Sequence, residues 1–209
     1  MNIDQSENQD FKFIISNLYQ RPKWFFKFTQ ENSYNKYAWL FLYLAVLGGR
    51  LGSISSGKID IETWTDLFFK VIILGAGLGL ISYIIFGYIL SGIARWFKGV
   101  ASAGDILRVI SYSSIPGIPM ILFYIIGSSI FGISFFSESF WLNDNNLGVT
   151  IFKTFLMMFS GIIGINISVF MVLGIATVSN FSIWKAILTM ILPIIIFVTI
   201  IALLGGYLF

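Results

Sequence analysis

The sequence predicts an all-α fold, a polytopic bundle of helices that cross a membrane. Hydrophobic residues make up 57% of the 209 residues and charged residues only 11%, whereas about a quarter of a soluble domain is charged. Four uncharged stretches each exceed 20 residues, and about 18 apolar residues suffice for a helix to span the bilayer. These stretches are Val71 to Ala94, Val109 to Ser137, Leu156 to Trp184 and Ala186 to Phe209. They are too long and too evenly apolar for the alternating strands of about ten residues that form a transmembrane β-barrel.

The first predicted element is an amphipathic segment from Phe11 to Phe28. Apolar residues recur at helical spacing in its first half, and aromatic residues interleave with Lys23 and Lys27 in its second half. Such a composition favours a helix in the headgroup plane of the membrane, with packing against the bundle as the alternative. We therefore expect a cytoplasmic N-terminal tail with an amphipathic interfacial segment at residues 1–33 and a membrane domain at residues 34–209.

The first apolar segment is shorter than the others. Ala38 to Gly49 supplies twelve residues before Arg50, about 18 Å of helix, which is more typical of an interfacial or re-entrant segment. It reaches spanning length if tyrosines anchor one end and Arg50 extends towards the other interface. With this segment included, we predict five transmembrane helices, at residues 37–55, 69–93, 110–134, 155–178 and 186–208.

The distribution of basic residues favours five spans over four. With five, nine lysines and arginines share one side of the membrane, and the loops on the opposite side contain Arg50 and Lys58. The nine are Lys12, Arg21, Lys23, Lys27, Lys36, Arg95, Lys98, Arg108 and Lys185. Because basic residues accumulate on the cytoplasmic side, we predict a cytoplasmic N-terminus, an external C-terminus and insertion into a cell (cytoplasmic or inner) membrane. The net charge of +3 then reflects topology, and we expect no nucleic-acid partner.

The composition argues against catalytic, metal and cofactor sites. The chain contains no Cys and no His, which removes thiolate and imidazole chemistry. None of the four long apolar stretches contains a carboxylate, although ion-coupled transporters usually place ionisable groups at mid-membrane. We therefore expect no enzyme, no catalytic residue, no metal and no cofactor.

Two glycine motifs resemble nucleotide-binding loops. The stretch GSISSGK, residues 52–58, has the phosphate-loop spacing, but Ile59 stands where that loop needs Ser or Thr. The stretch GAGLG, residues 75–79, lies inside an apolar helix with no preceding strand. Gly75 and Gly79 instead form a G-x-x-x-G face, a candidate site of close helix packing.

Asn166 lies near the centre of the fourth predicted span and is another candidate for helix packing. An interhelical hydrogen bond is the plainer interpretation of this side chain. The alternative is a substrate contact in a small transporter, channel or lipid scramblase, which would require a polar groove between helices.

The stretch GVASAGDILRVISYSSIPGIP, residues 99–119, is unusually polar. Ser102 and Asp105 have capping-box spacing, which predicts a helix that starts near Ala103, and Asp105 and Arg108 are placed to form an ion pair. We next expect the helix to be kinked where it enters the bilayer, because proline removes a backbone hydrogen-bond donor. The candidate kink residues are Pro116 and Pro119. The alternative is a vestibule around Arg108, Tyr112 and Pro116 that binds a headgroup or a partner.

Three stretches resemble the Yip-one (Yip domain) family of integral membrane proteins. Residues 21–49 resemble the family's proline-basic-aromatic entry into the first span, residues 99–119 its short polar helix, and residues 179–196 its last connection. The resemblance implies five membrane helices and a cytoplasmic N-terminus. Eukaryotic members are Golgi and ER proteins linked to Rab GTPases and vesicle traffic. The chain lacks the Asp-Leu-Tyr-Gly-Pro motif of those members and is closer to the short bacterial members.

The expected function is therefore that of a non-enzymatic membrane protein that organises membrane or partner proteins through its cytoplasmic face. The expected partners are the lipid bilayer, anionic headgroups, and other membrane proteins or further copies of the chain. The candidate headgroup- or partner-binding residues are Lys23, Lys27, Arg95, Lys98, Asp105, Arg108 and Tyr112. The transporter, channel or scramblase remains the alternative, and an intramembrane enzyme has the least support.

Overall fold

The computed structural model describes residues 3–54, 61, 63–137, 140–141 and 146–206, and these residues form helices and turns with no β-strand. The predicted all-α class is confirmed. The phosphate-loop-like stretch lies partly outside the described residues.

The α-helices are α1 (Ile3–Gln20), α2 (Pro22–Glu31), α3 (Ala38–Ile54), α4 (Trp64–Asp66), α5 (Ala76–Trp96), α6 (Ala103–Ser113), α7 (Ile118–Phe131), α8 (Leu147–Val178) and α9 (Ile183–Gly206). A π-helix, Leu67–Gly75, joins α4 to α5, and 3₁₀ turns at Ile115–Gly117 and Gly132–Phe136 flank α7.

Four helical segments of the described chain are long and apolar enough to cross a membrane. They are Trp64–Trp96, Ala103–Phe136, Leu147–Val178 and Ile183–Leu203. The fifth predicted span corresponds to Ala38–Ser53, an apolar helix below the length of the other four.

Helix α8 begins well before the predicted start of its span at residue 155. Asn146 caps it, because its Oδ1 accepts a 2.9 Å hydrogen bond from the Gly148 N–H and its carbonyl accepts one from Thr150. Asparagine is a favoured N-cap residue because it satisfies N–H groups that lack an intrahelical partner. The charge of Lys153 therefore lies within the helix and does not mark its start.

The third predicted span is interrupted near its entry. Helix α6 ends at Ser113, the 3₁₀ turn Ile115–Gly117 follows, and α7 then continues from Ile118. Pro116 lies within the first two positions of the turn, and Pro119 lies within the first two positions of α7. A missing N–H costs no intrahelical hydrogen bond at these positions. The Gly117 N–H closes the turn by bonding the Ser114 carbonyl at 2.9 Å.

The chain divides into two compact units. Unit two comprises Tyr37–Tyr83 and Ser111–Ser168, and its core is an aromatic cluster around the buried side chains of Phe135 and Phe136. The Phe135 ring packs edge-on against Phe140 with 5.4 Å between ring centroids, and the Trp141 indole donates a 2.8 Å bond to the Phe135 carbonyl. Gly127 makes room for the Phe135 ring, which lies 2.7 Å from the position of an added Cβ.

The predicted G-x-x-x-G face also lies in unit two. A Cβ added at Gly79 would stand 2.3 Å from Val46 Cγ1. A Cβ at Gly75 would stand 2.8 Å from the Lys70 carbonyl oxygen of the π-helix and 3.5 Å from the Arg50 side chain. Helix α3 therefore packs closely on the π-helix and α5 because both positions lack a side chain.

Unit one comprises Met1–Lys36, Ile84–Ile110 and Val169–Phe209. Its N-terminal segment forms two helices, because the first ends at Gln20 and Pro22 opens the second. The side chains of Ile14, Leu18, Phe25 and Phe26 are fully buried. Gly174 of α8 lies against this core, since an added Cβ would meet Val109 at 2.5 Å and Phe26 at 3.1 Å.

Candidate functional site

A groove of about 880 Å³ opens on unit one, between α2 and the turn that joins α8 to α9. Helix α2 contributes Lys23, Trp24, Lys27 and Gln30, and the turn contributes Asn180, Phe181, Ser182 and Ile183. Val100, Ala176 and Thr177 complete the lining. Among the residues that the structure describes, two lysines and no acidic residue line this groove, so its lining carries positive charge.

Helix α2 brings its polar residues to the groove by simple periodicity. Lys23, Lys27 and Gln30 are spaced i, i+4 and i+7, and this spacing places them on one helix face. Phe25 on the opposite face and Phe26 at the edge of this face are both fully buried. Burial of these two aromatic side chains therefore orients the lysines towards the groove.

The turn between α8 and α9 is held by hydrogen bonds that end helix α8. Asn180 adopts a left-handed conformation with φ of 54°, its N–H bonds the Thr177 carbonyl, and the Phe181 N–H bonds the Ala176 carbonyl at 3.1 Å. This is a Schellman motif. The next carbonyl, that of Val178, accepts a 2.8 Å bond from the side-chain amide of Gln30. This bond links α2 directly to the end of α8.

The two groove lysines are weakly engaged within the chain. Lys23 has no hydrogen-bond or ion-pair partner among the residues that the structure describes. The Lys27 ammonium lies 3.7 Å from the Glu31 carboxylate, and both side chains are about two-thirds exposed. An ion pair that exposed contributes little to stability, so both ammonium groups are available to an external anion.

Arg95 and Lys98 are exposed at the end of α5 and do not line the groove. Lys98 has φ of 64° and follows the last turn of α5, where its N–H bonds the Arg95 carbonyl at 2.9 Å. The Lys185 ammonium donates a 3.3 Å bond to the Phe97 carbonyl at the same helix end. This contact is favourable because the carboxyl end of a helix carries negative partial charge.

Asp105 and Arg108 form a network at the start of α6, and the predicted capping box is confirmed. Asp105 Oδ2 accepts bonds from the N–H and hydroxyl of Ser102 at 2.9 and 2.7 Å, and Ser102 Oγ accepts the Asp105 N–H. The predicted ion pair joins Arg108 Nη1 to Asp105 Oδ1 at 2.6 Å. Arg108 Nε also donates a 2.8 Å bond to Asn35 Oδ1, so the guanidinium is tied to the chain.

Tyr112 and Asn166 occupy contrasting positions. Tyr112 is fully buried and packs edge-on against Phe41 with 6.0 Å between ring centroids. Asn166 is exposed, and its amide donates a 2.9 Å bond to the Ile162 carbonyl of its own helix. Asn166 does not line the groove of unit one.

Sequence reasoning identified Lys23 and Lys27 but missed the opposite wall of the groove. The letters SNFS at residues 179–182 separate two apolar runs and so indicate a turn. No sequence signal places that turn beside α2. Within the described residues, no group of three or more His, Cys, Asp or Glu side chains is placed to hold a metal ion.

The model of the Yip1 domain family matches residues 17–204, which is most of the chain. No curated protein and no solved structure matches the chain.

Proposed function

The chain belongs to the Yip1 domain family, and from this membership we propose a non-enzymatic integral membrane protein that organises lipids or partner proteins at its cytoplasmic face. The proposal assigns that face to the exposed basic and aromatic residues of unit one.

The observation that carries the proposal is that exposed basic residues and exposed tryptophans are neighbours in unit one. Lys23, Lys27, Arg95 and Lys98 are all exposed, and exposed tryptophans lie beside them in the chain. In unit one, Trp24 beside Lys23 is 47% exposed and Trp96 beside Arg95 is 72% exposed, and Trp184 beside the exposed Lys185 is 76% exposed. Tryptophan concentrates at the headgroup level of membranes, and each nearby lysine or arginine attracts an anionic surface by about 1 kcal/mol.

The proposal includes five membrane crossings, with Ala38–Ser53 as the shortest, in the cytoplasmic or inner membrane of a cell. The N-terminus then lies in the cytoplasm and the C-terminus outside. Arg50 supports the fifth crossing because a long basic side chain near a helix end reaches the interface. Helix α2 lies at the cytoplasmic interface in this arrangement.

We expect labelling of single cysteines to give opposite sides for the two ends of the chain. Because the chain has no native Cys, Asn32→Cys and Gly206→Cys each create one reactive site. A membrane-impermeant maleimide added to intact cells labels Gly206→Cys and labels Asn32→Cys only after lysis. Labelling of both variants, or of neither, in intact cells would show an even number of crossings.

Lipid enrichment around the protein tests the function itself. A donor dye at Asn32→Cys reports energy transfer to headgroup-labelled phosphatidylglycerol or phosphatidylcholine in vesicles. We expect at least about fivefold more transfer from the anionic lipid, which is the factor that about 1 kcal/mol from a single basic residue gives. Replacing Lys23, Lys27, Arg95 and Lys98 together by glutamine removes the preference.

The matched control changes basic residues that the proposed topology places at the other interface. Lys70→Gln combined with Lys153→Gln leaves the preference intact. If the fourfold glutamine variant kept the full preference for the anionic lipid, the proposal of a lipid-organising face would be wrong.

A further inference from the structure

We propose that the groove of unit one is a binding site for the phosphate of one anionic phospholipid, with Lys23 and Lys27 as its ligands. The inference rests on the proposed function, because it gives the basic face a defined site and a ligand class. The site lies between α2 and the α8–α9 turn.

The arrangement of charge in the groove selects an anion. Lys23 and Lys27 lie one helical turn apart on α2 and project from the same face. Lys27 is paired with Glu31 at 3.7 Å, but this pair is exposed, so it is weak and solvent-screened. Lysine binds phosphate as a point charge, and two such charges on one helix face attract a single phosphate group.

The end of helix α8 does not oppose this charge. Helix carboxyl ends carry negative partial charge on carbonyl groups that lack a partner. Here the carbonyls of Ile175, Ala176, Thr177, Val178 and Ser179 all accept hydrogen bonds. Ser182, which precedes α9, and Ile183, its first residue, both line the groove. The N–H groups at this helix start add to the attraction.

The position of the groove points to a lipid as the source of the phosphate. The wall opposite α2 is the turn between Leu147–Val178 and Ile183–Leu203, both long and apolar enough to span the bilayer. A turn between two spanning helices lies at the edge of the hydrocarbon, which is the depth of lipid phosphates. Trp24, Phe181 and Ile183 also line the groove and give an apolar side to the start of the acyl chains.

The test uses the full chain in phosphatidylcholine nanodiscs that contain a few per cent of a photoactivatable phosphatidic acid. After irradiation, mass spectrometry maps the adducts, which we expect on peptides containing residues 23–30 and 176–183. Each of Lys23→Gln and Lys27→Gln lowers the adduct yield about fivefold, the factor expected for one near-surface charge. Lys23→Arg and Lys27→Arg retain the yield, and this retention shows that the charge is what matters.

The matched control is Lys12→Gln combined with Arg21→Gln, which removes two exposed charges of unit one that do not line the groove. Unlabelled phosphatidic acid competes with the probe, whereas sn-glycerol 3-phosphate does not. Equal competition by the soluble phosphate would overturn the lipid assignment.

Failure of this inference is distinguishable from failure of the proposed function. An equal loss of yield in the control and groove variants would mean diffuse attraction, which overturns the groove site and leaves the lipid-organising face standing. Groove adducts in a protein that shows no lipid enrichment by energy transfer would support the site and contradict the wider proposal.

Discussion

Asp105→Ala is expected to lower the free energy of unfolding by about 2–4 kcal/mol, because it removes one half of the capping box and leaves the shielded cation of Arg108 without its carboxylate partner. Loss of the bonds that Asp105 accepts from Ser102 contributes about 1 kcal/mol. The remainder comes from Arg108, whose side chain is only 14% exposed beside an Asp105 side chain that is 12% exposed. Removing one partner of a largely buried ion pair costs more than the pair itself is worth.

The matched control for this prediction is Glu31→Ala. Glu31 also forms an ion pair with a residue of its own helix, Lys27, but the two side chains are about two-thirds exposed. The expected cost is below about 1 kcal/mol. Unfolding of both purified variants in the same detergent gives the comparison, and equal costs would show that the Asp105 network adds no stability beyond a surface pair.

The capping box could be predicted because its residues are close in sequence. Ser102 and Asp105 are three positions apart, and so are Asp105 and Arg108, so helix geometry alone brings them together. The bond from Arg108 to Asn35 joins residues 73 positions apart. Nothing in the local pattern indicates that bond, because it depends on how unit one packs.

The groove shows the same limit. The sequence suggests Lys23 and Lys27 through their aromatic neighbours, but Gln30 meets the Val178 carbonyl across 148 positions. Apolar patterning cannot predict such a contact in a membrane bundle. Helices that face both lipid and protein are apolar on every side, so periodicity no longer indicates which face is packed.

Asn166 illustrates this loss of directional information. Its polarity suggested an interhelical contact or a substrate groove, yet the side chain is exposed and bonds its own helix. Ile163 and Phe170 on the same helix are buried instead. The rotation of α8 about its axis is thus set by the packing of its apolar side chains and could not be predicted from polarity.

The glycine face of α5 supplies the second large effect. We expect Gly79→Ala to destabilise the protein by about 1–3 kcal/mol, the usual cost of overpacking a close contact. The new Cβ would lie 2.3 Å from Val46 Cγ1. Val46 is 3% exposed, and a β-branched side chain in a helix has one strongly preferred rotamer. The contact can therefore be relieved only by straining Val46 or by separating the two helices.

A second substitution at the contact distinguishes this clash from a general intolerance of α5 to larger residues. In Gly79→Ala with Val46→Ala, the opposing methyl group is gone, so the double variant is more stable than the sum of the two single costs predicts. Gly77→Ala is the matched control, because nothing lies within 4 Å of its added Cβ, and it is neutral or gains up to about 1 kcal/mol from helix propensity. Thermal unfolding of the four variants measures these differences. Additive costs in the double variant would mean that α3 and α5 do not meet at this glycine.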